Sequence, residues 1–192
     1  MLLTSVETLR TRLNQRDTNA INTQLAAILT SVTYYMEGVL GTSFLYQEDK
    51  EDLFHLDANT HLTNLSYCRL RLAHACVSKV ELMNDYGIRF RTDEDTGIVT
   101  LLSNWAKGDD LTVKYTKGFQ TEQDSYGNSV YQNVPEWLST ATLVWAEAIF
   151  FSKFGDSEDI GNDSDYTTPP DGVSKILANY DRYMPSAIRA IV

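Results

Sequence analysis

The sequence predicts an α+β fold in which a helical bundle of four main helices carries an inserted antiparallel β module. Three observations predict it. Residues 67–119 alternate polar and apolar side chains with a period of two. Apolar residues at steps of three and four flank that block on both sides. The clusters Asp93-Glu-Asp-Thr-Gly97 and Lys107-Gly-Asp-Asp110 punctuate it as hairpin connections would. The chain divides accordingly into a helical bundle domain, residues 1–47 and 134–192, and an inserted β module with its loop, residues 48–133. Residues 184–192 read as a C-terminal arm.

The first helix begins at Thr4, with Glu7 completing a capping box and Val6, Leu9 and Leu13 on one face. Asp17 or Thr18 caps a second, longer helix. Its Ile21, Leu25, Ile28, Leu29, Val32, Tyr35, Met36 and Val39 form one apolar stripe, and Gly41 stands where a C-cap glycine belongs. Residues 42–65 mix Phe44, Tyr46, Leu53, Phe54 and Leu56 with acidic residues and read as short strands and loop. In Arg69-Leu-Arg-Leu72 the leucines point one way and the arginines the other; Ile88-Arg-Phe-Arg91 repeats the pattern. The predicted inner face holds Leu70, Leu72, Val80, Leu82, Val99, Leu111, Val113 and Tyr115.

Residues 120–133 are polar, without a period, and read as a long loop. Pro135 opens a helix that runs to Phe154. Its apolar residues occupy nearly every face, so it should be buried all round, by its own chain or by neighbouring subunits. Trp137, Trp145, Phe150 and Phe151 are its candidate core and oligomer contacts. After an acidic run, Asp156 to Asp165, Asp171 caps a last helix carrying Val173, Ile176, Leu177 and Tyr180, which Pro185 ends. The tail is apolar where chain ends are usually polar. That suits strand addition to a partner's edge, which makes Ile188, Arg189, Ile191 and Val192 the candidate partner-binding residues.

Composition narrows the function. At 192 residues and 43% hydrophobic, the chain can bury one good core. No apolar run reaches the roughly 18 residues of a membrane span. Met1-Leu-Leu-Thr-Ser-Val-Glu7 lacks the basic start and apolar core of a signal peptide. Cys68 and Cys76 make no secreted disulfide framework, so a reducing cytoplasm is the expected place of synthesis. A net charge of −10 with scattered basic residues disfavours tight DNA binding, which needs clustered Lys and Arg.

Catalytic and metal motifs are weak. There is no phosphate-cradling loop and no nucleophile elbow. Cys68, His74, Cys76 and His61 match no zinc spacing, and alternation along a strand accounts for the first three sharing a face. The run from Asp156 to Asp165 lacks the ligand order of a calcium loop, because Ile160 and Gly161 interrupt it. His55 with Asp52 or Asp57 resembles an acid–base pair, but no nucleophile accompanies it. No catalytic residue, metal or cofactor is expected.

Four segments together resemble the phage head–tail connector family, the adaptor proteins that form a ring below the portal of tailed bacteriophages. They are the helix end Tyr35-Met-Glu-Gly-Val-Leu-Gly-Thr-Ser-Phe44, the strand and turn Arg71-Leu-Ala-His-Ala-Cys-Val-Ser-Lys-Val80, the closing strand Asp110-Leu-Thr-Val-Lys-Tyr-Thr-Lys-Gly-Phe119, and the helix from Val134-Pro-Glu-Trp-Leu138 through Lys153. Each is weak alone, and their order and spacing carry the resemblance across residues 4–154. Beyond Phe154 there is no counterpart.

The resemblance implies a ring homo-oligomer, a dodecamer, at the head–tail interface of a virion. Its partners would be a portal protein and stopper or tail proteins. DNA would pass through the ring without specific binding, past an acidic or neutral lining. Two other readings remain: another virion component, such as a tail-completion or attachment protein, and a small hydrolase using Asp52 and Asp57.

Overall fold

The computed structural model describes residues 1–56, 68–83, 87–102, 110–154, 167–181 and 188–189. The chain forms two compact units: residues 1–41 with 119–180, and residues 42–118 with 181–192.

In the first unit, α1 (Val6–Arg12) is capped by Ser5, whose hydroxyl accepts the Thr8 N–H at 3.1 Å, one residue later than the predicted Thr4. Thr18 caps α2 (Asn19–Leu40) by accepting the Ile21 N–H at 3.3 Å; Gly41 closes it in the left-handed conformation, φ +62°. The buried stripe of α2 is Leu25, Ile28, Leu29, Val32 and Met36. α3 (Glu136–Phe154) packs on α2, and α1 packs on both. α4 (Asp171–Asp181) meets α3 where Gly172 lies close to Val144, and it buries Val173 and Leu177.

The predicted loop at 120–133 holds a hairpin, β7 (Thr121–Gln123) with β8 (Ser129–Tyr131), and Leu2 bridges Val130 in parallel beside it. The Asp124 carboxyl sets the turn by accepting the Tyr126 and Asn128 N–H groups at 2.9 and 2.8 Å. Strands this short show no period for sequence to reveal.

In the second unit, β1 (Gln47–His55), β6 (Asp110–Lys117) and β3 (Val77–Leu82) make an antiparallel sheet with β6 central. Both flanking strands bulge, β1 with Asp49 at φ +55° and β3 with Lys79 at φ +49°. A second sheet runs β4 (Phe90–Asp93), β5 (Ile98–Leu101), β2 (Cys68–Arg71) and β9 (Ile188–Arg189), antiparallel except for the parallel β2–β9 pair. The core joins Phe54, Leu70, Leu72, Val99, Leu101, Leu111, Val113 and Tyr115, with Leu82 buried and Val80 partly so. The inner face is the one that alternation predicts.

The fold class is corrected. The chain is mixed α/β, and a four-helix bundle with one inserted β module does not describe it. The described strands fall into three small sheets. One of them, β7–β8, belongs to the unit that holds the helices, and β9 arrives from the far end of the chain. Of the four helices, α1 has only seven residues. The cause is local: short hairpins fixed by turn chemistry interrupt the polar segments that composition assigns to loop.

Two substitutions test this packing. Trp145 is 1% exposed, with its ring 5.7 Å from that of Tyr35, so Trp145→Ala should cost ~3–5 kcal/mol in urea unfolding. Gly97 closes the β4–β5 hairpin at φ +69°, and a Cβ there would overlap the His74 carbonyl oxygen. Gly97→Ala should cost on the order of 2–4 kcal/mol, read as a lower urea midpoint at unchanged slope.

Candidate functional site

The carboxylates and histidines singled out by sequence fall into separate environments. On β1 the alternation places Asp52 inward beside Phe54 and turns Leu53 outward: Asp52 is 8% exposed and Leu53 40%. The Asp52 Oδ2 accepts the Ala73 N–H at 2.6 Å and the Tyr115 O–H at 3.0 Å. Burial, with Asp52 second, holds the Tyr115 phenol far above its ordinary pKa, so it is a donor. His74 sits one residue on, its Nδ1 3.3 Å from the Thr42 hydroxyl. Burial lowers its pKa, reinforced by Lys117 and Lys50 and opposed by Asp52.

His55 does not join this group. Its Nδ1 lies 2.8 Å from Asp110 Oδ1, an exposed pair across the β1–β6 ladder; Asp57 lies outside the described residues. His55 and Asp52 thus make two unrelated contacts and do not pair with each other. A hydrolase reading would need Asp52 accessible to substrate, yet Asp52 is buried and bonded to Ala73 and Tyr115.

The cysteine and histidine set also separates. Alternation does not carry through it, because the chain turns over residues 73–76 and Cys76 takes φ +55°. Among the described residues no group of three or more His, Cys, Asp or Glu side chains could hold a metal ion. His61 and the run from Asp156 to Asp165 lie outside the described residues. Burial pushes the Cys68 thiol up to about 11 and, with Asp95 adding to it, the Cys76 thiol up to about 12.

The candidate oligomer residues lie on α3, at depths that differ. Trp145 and Phe150 are buried, and Trp137 is half-buried. Phe151 is 54% exposed and Phe154 48%. α3 is thus not covered all round within the chain. Phe150 meets Phe151 edge-on and Phe154 at a tilt, with ring centroids 5.8 and 5.3 Å away. A groove of about 190 Å³ runs between α2 and α3, lined by Ala27, Ile28, Tyr35, Ile149, Lys153 and Phe154. Tyr34, 73% exposed, stands on α2 beside Tyr35. An exposed aromatic patch of this kind marks a contact surface more often than a catalytic pocket.

Of the candidate partner-binding residues, Ile188 and Arg189 form β9, their backbones opposite Leu70 and Arg71 of the same chain. Ile191 and Val192 lie outside the described residues. Sequence reasoning foresaw strand addition here but not this acceptor, since a parallel partner over a hundred residues away leaves no local signal. It also passed over the arginines of the outward sheet face, although the alternation in Arg69-Leu-Arg-Leu72 displays them.

Comparison with known proteins adds no relative: no protein-family model matches the chain, and no curated protein matches it.

Two solution measurements follow from these environments. Neither cysteine should react with a thiol-specific disulfide reagent at about pH 8 in the folded protein, and both should react in urea. Because the folded-state pKa of His74 lies below its ordinary value of 6.5, the unfolded chain takes up that proton first as pH falls. The stability associated with neutral His74 is therefore complete above 6.5 and is lost on acidification below it. The urea midpoint should drop between about pH 7 and pH 5, and His74→Gln should flatten that slope.

Proposed function

We propose that the protein is a structural, non-catalytic subunit: a head–tail connector that assembles into a ring beneath a phage portal. In this reading the ring surrounds the DNA exit channel and links the portal to stopper or tail proteins. It is dodecameric, as the resemblance over residues 4–154 implies, and sits at the head–tail interface of the virion. DNA passes through unbound, in keeping with a net charge of −10.

The single observation that carries the reading is the aromatic surface of the helical unit. Phe154 lines the α2–α3 groove, and Tyr34 on α2 and Phe151 on α3 stand exposed, apolar area that a neighbouring copy would cover. Two features support it further. The carboxyl group best placed for acid–base chemistry, Asp52, is bonded to Ala73 and Tyr115. Ile188 and Arg189 reach a sheet edge by backbone pairing, the mode by which an arm also engages a partner.

Light scattering after size exclusion, alone and with portal, tests this. The wild type should form a ring or enter one on adding portal. Phe151→Glu with Phe154→Glu should stay folded by circular dichroism and fail to assemble. Among the described residues, deleting residues 186–192 removes the two-residue edge strand β9, so it should leave the fold intact and prevent portal docking. A wild type that stays monomeric with portal present overturns the reading, as does a double variant that assembles normally.

A further inference from the structure

The outward face of the four-stranded sheet carries a charge pattern that the ring reading leaves unused. Register places Arg69 opposite Thr100 and Thr100 opposite Arg91. One step along, Arg71 faces Ile98, which faces Asp93. The Leu102 N–H donates to the Arg89 carbonyl at 2.7 Å, so the same register continues past the strand end. Side chains alternate across a sheet, and Leu70, Val99 and Leu101 fill the core. Arg69, Arg71, Arg89 and Arg91 therefore share the other face with Ile98, Thr100 and Leu102.

The result is a trough. β5 supplies its floor, with Thr100 half-buried and Leu102 exposed, while β2 and β4 supply two arginine walls. Adjacent strands lie about 4.8 Å apart, which sets the walls about 10 Å apart, the width of one extended chain. A groove of about 870 Å³ lies over this face, lined by Arg69 and Arg91 with Thr100 and Leu102, and at one end by the acidic turn Asp93, Glu94 and Asp95. Arg71 and Arg89 stand on the same face outside the groove's lining, which brings four of the nine arginines in a chain of net charge −10 to this side of the sheet.

We propose that this trough binds an extended acidic segment of a second copy of the chain, the run Asp156-Ser-Glu-Asp-Ile-Gly-Asn-Asp-Ser-Asp165, joining successive copies head to tail. The proposal rests on the ring reading only for the source of the segment. Charge complementarity selects the occupant: the run holds five carboxylates and no base, and guanidinium groups pair with carboxylates through two parallel hydrogen bonds. Ile160, in the middle of the run, supplies an apolar side chain for Leu102, the exposed apolar residue of the floor. The acidic turn repels carboxylates at one end and so fixes which way the segment lies. Nucleic acid also pairs with arginine, but a phosphate backbone brings no apolar side chain to the exposed Leu102. Trough and segment are different surfaces, so the contact is heterologous, the kind that repeats around a ring.

The test measures fluorescence polarisation of a labelled peptide of residues 155–166 with the full chain, beside single-stranded and duplex DNA. Saturable peptide binding should weaken with salt. It should fall on the order of tenfold or more in Arg69→Glu/Arg91→Glu, and less in the milder Arg91→Gln. Circular dichroism checks folding, and Arg91→Gln at an exposed position keeps the test open if the double variant unfolds. No saturable binding, binding unchanged in Arg91→Gln, or tighter binding of DNA overturns the proposal.

Peptide binding only to Asp156→Asn/Glu158→Gln/Asp159→Asn, and not to the wild type, places the run in its own chain's trough and overturns the second-copy assignment. Light scattering on the same samples separates the two readings. A monomer that binds peptide supports the trough against the ring, and a ring that ignores peptide supports the ring and overturns the trough.

Discussion

The buried carboxyl of Asp52 is the constraint on which the β unit depends. It occupies a core position beside Phe54 and is satisfied by two donors from different elements, the Ala73 N–H after β2 and the Tyr115 hydroxyl on β6. Burying a polar group unpaired costs about 1–3 kcal/mol, so the arrangement that supplies both donors is favoured over any that supplies one. The consequence is placement. Ala73 begins the turn that carries the chain from β2 in one sheet to β3 in the other. Fixing its N–H fixes that turn, which is already narrow: Cys76 stands at a positive φ, and Gly97 lies against the His74 carbonyl. With the turn set, the register of β2 against β5 follows, and with it the row of outward arginines.

Much of this was legible in the sequence where a period runs long enough to register. The α2 stripe, the Gly41 cap and the inward set from Leu70 to Tyr115 all follow from alternation and spacing. The failures have physical causes. Residues 42–65 read as short strands and loop, and the full length of β1 does not show because its first half, Gln47 to Glu51, lies mostly exposed; only Asp52 and Phe54 turn inward with Leu56 to follow. A carboxylate near His55, as in Asp52, suggests acid–base chemistry, whereas strand alternation sends the two side chains to opposite faces. β7 and β8 are three residues each, and a side chain in the turn, Asp124, does the organising that hydrophobic pattern would do in longer strands.

The fold class went astray for a related reason. An insertion is inferred when one kind of pattern interrupts another, but compact units are built by contacts, which sequence order does not report. The helical unit takes in its own hairpin, and the β unit takes in the end of the chain. β9 is the clearest case. A parallel pair needs a long crossover, and here most of the β unit, α3 and α4 lie between Arg71 and Ile188. Nothing local in Ile188-Arg189 names β2 as its partner.

The two outward surfaces differ in what they ask of a neighbour. The aromatic end of α3 with Tyr34 presents apolar area, whose burial is non-directional and salt-tolerant, and so supplies affinity without choosing an orientation. The arginine trough presents directed donors over a narrow floor of Thr100 and Leu102, bounded at one end by the carboxylates of Asp93, Glu94 and Asp95. Such a contact contributes less affinity than register, because exposed ion pairs are weak while their geometry is exacting. An assembly that must close after a fixed number of copies needs both properties, since a small error in angle at each contact accumulates around the ring. In the proposed ring, a surface of the first kind would hold the copies together, and one of the second kind would set the angle at which they meet. That division would give a chain so rich in acid a physical reason to line up Arg69, Arg71, Arg89 and Arg91 on one sheet face.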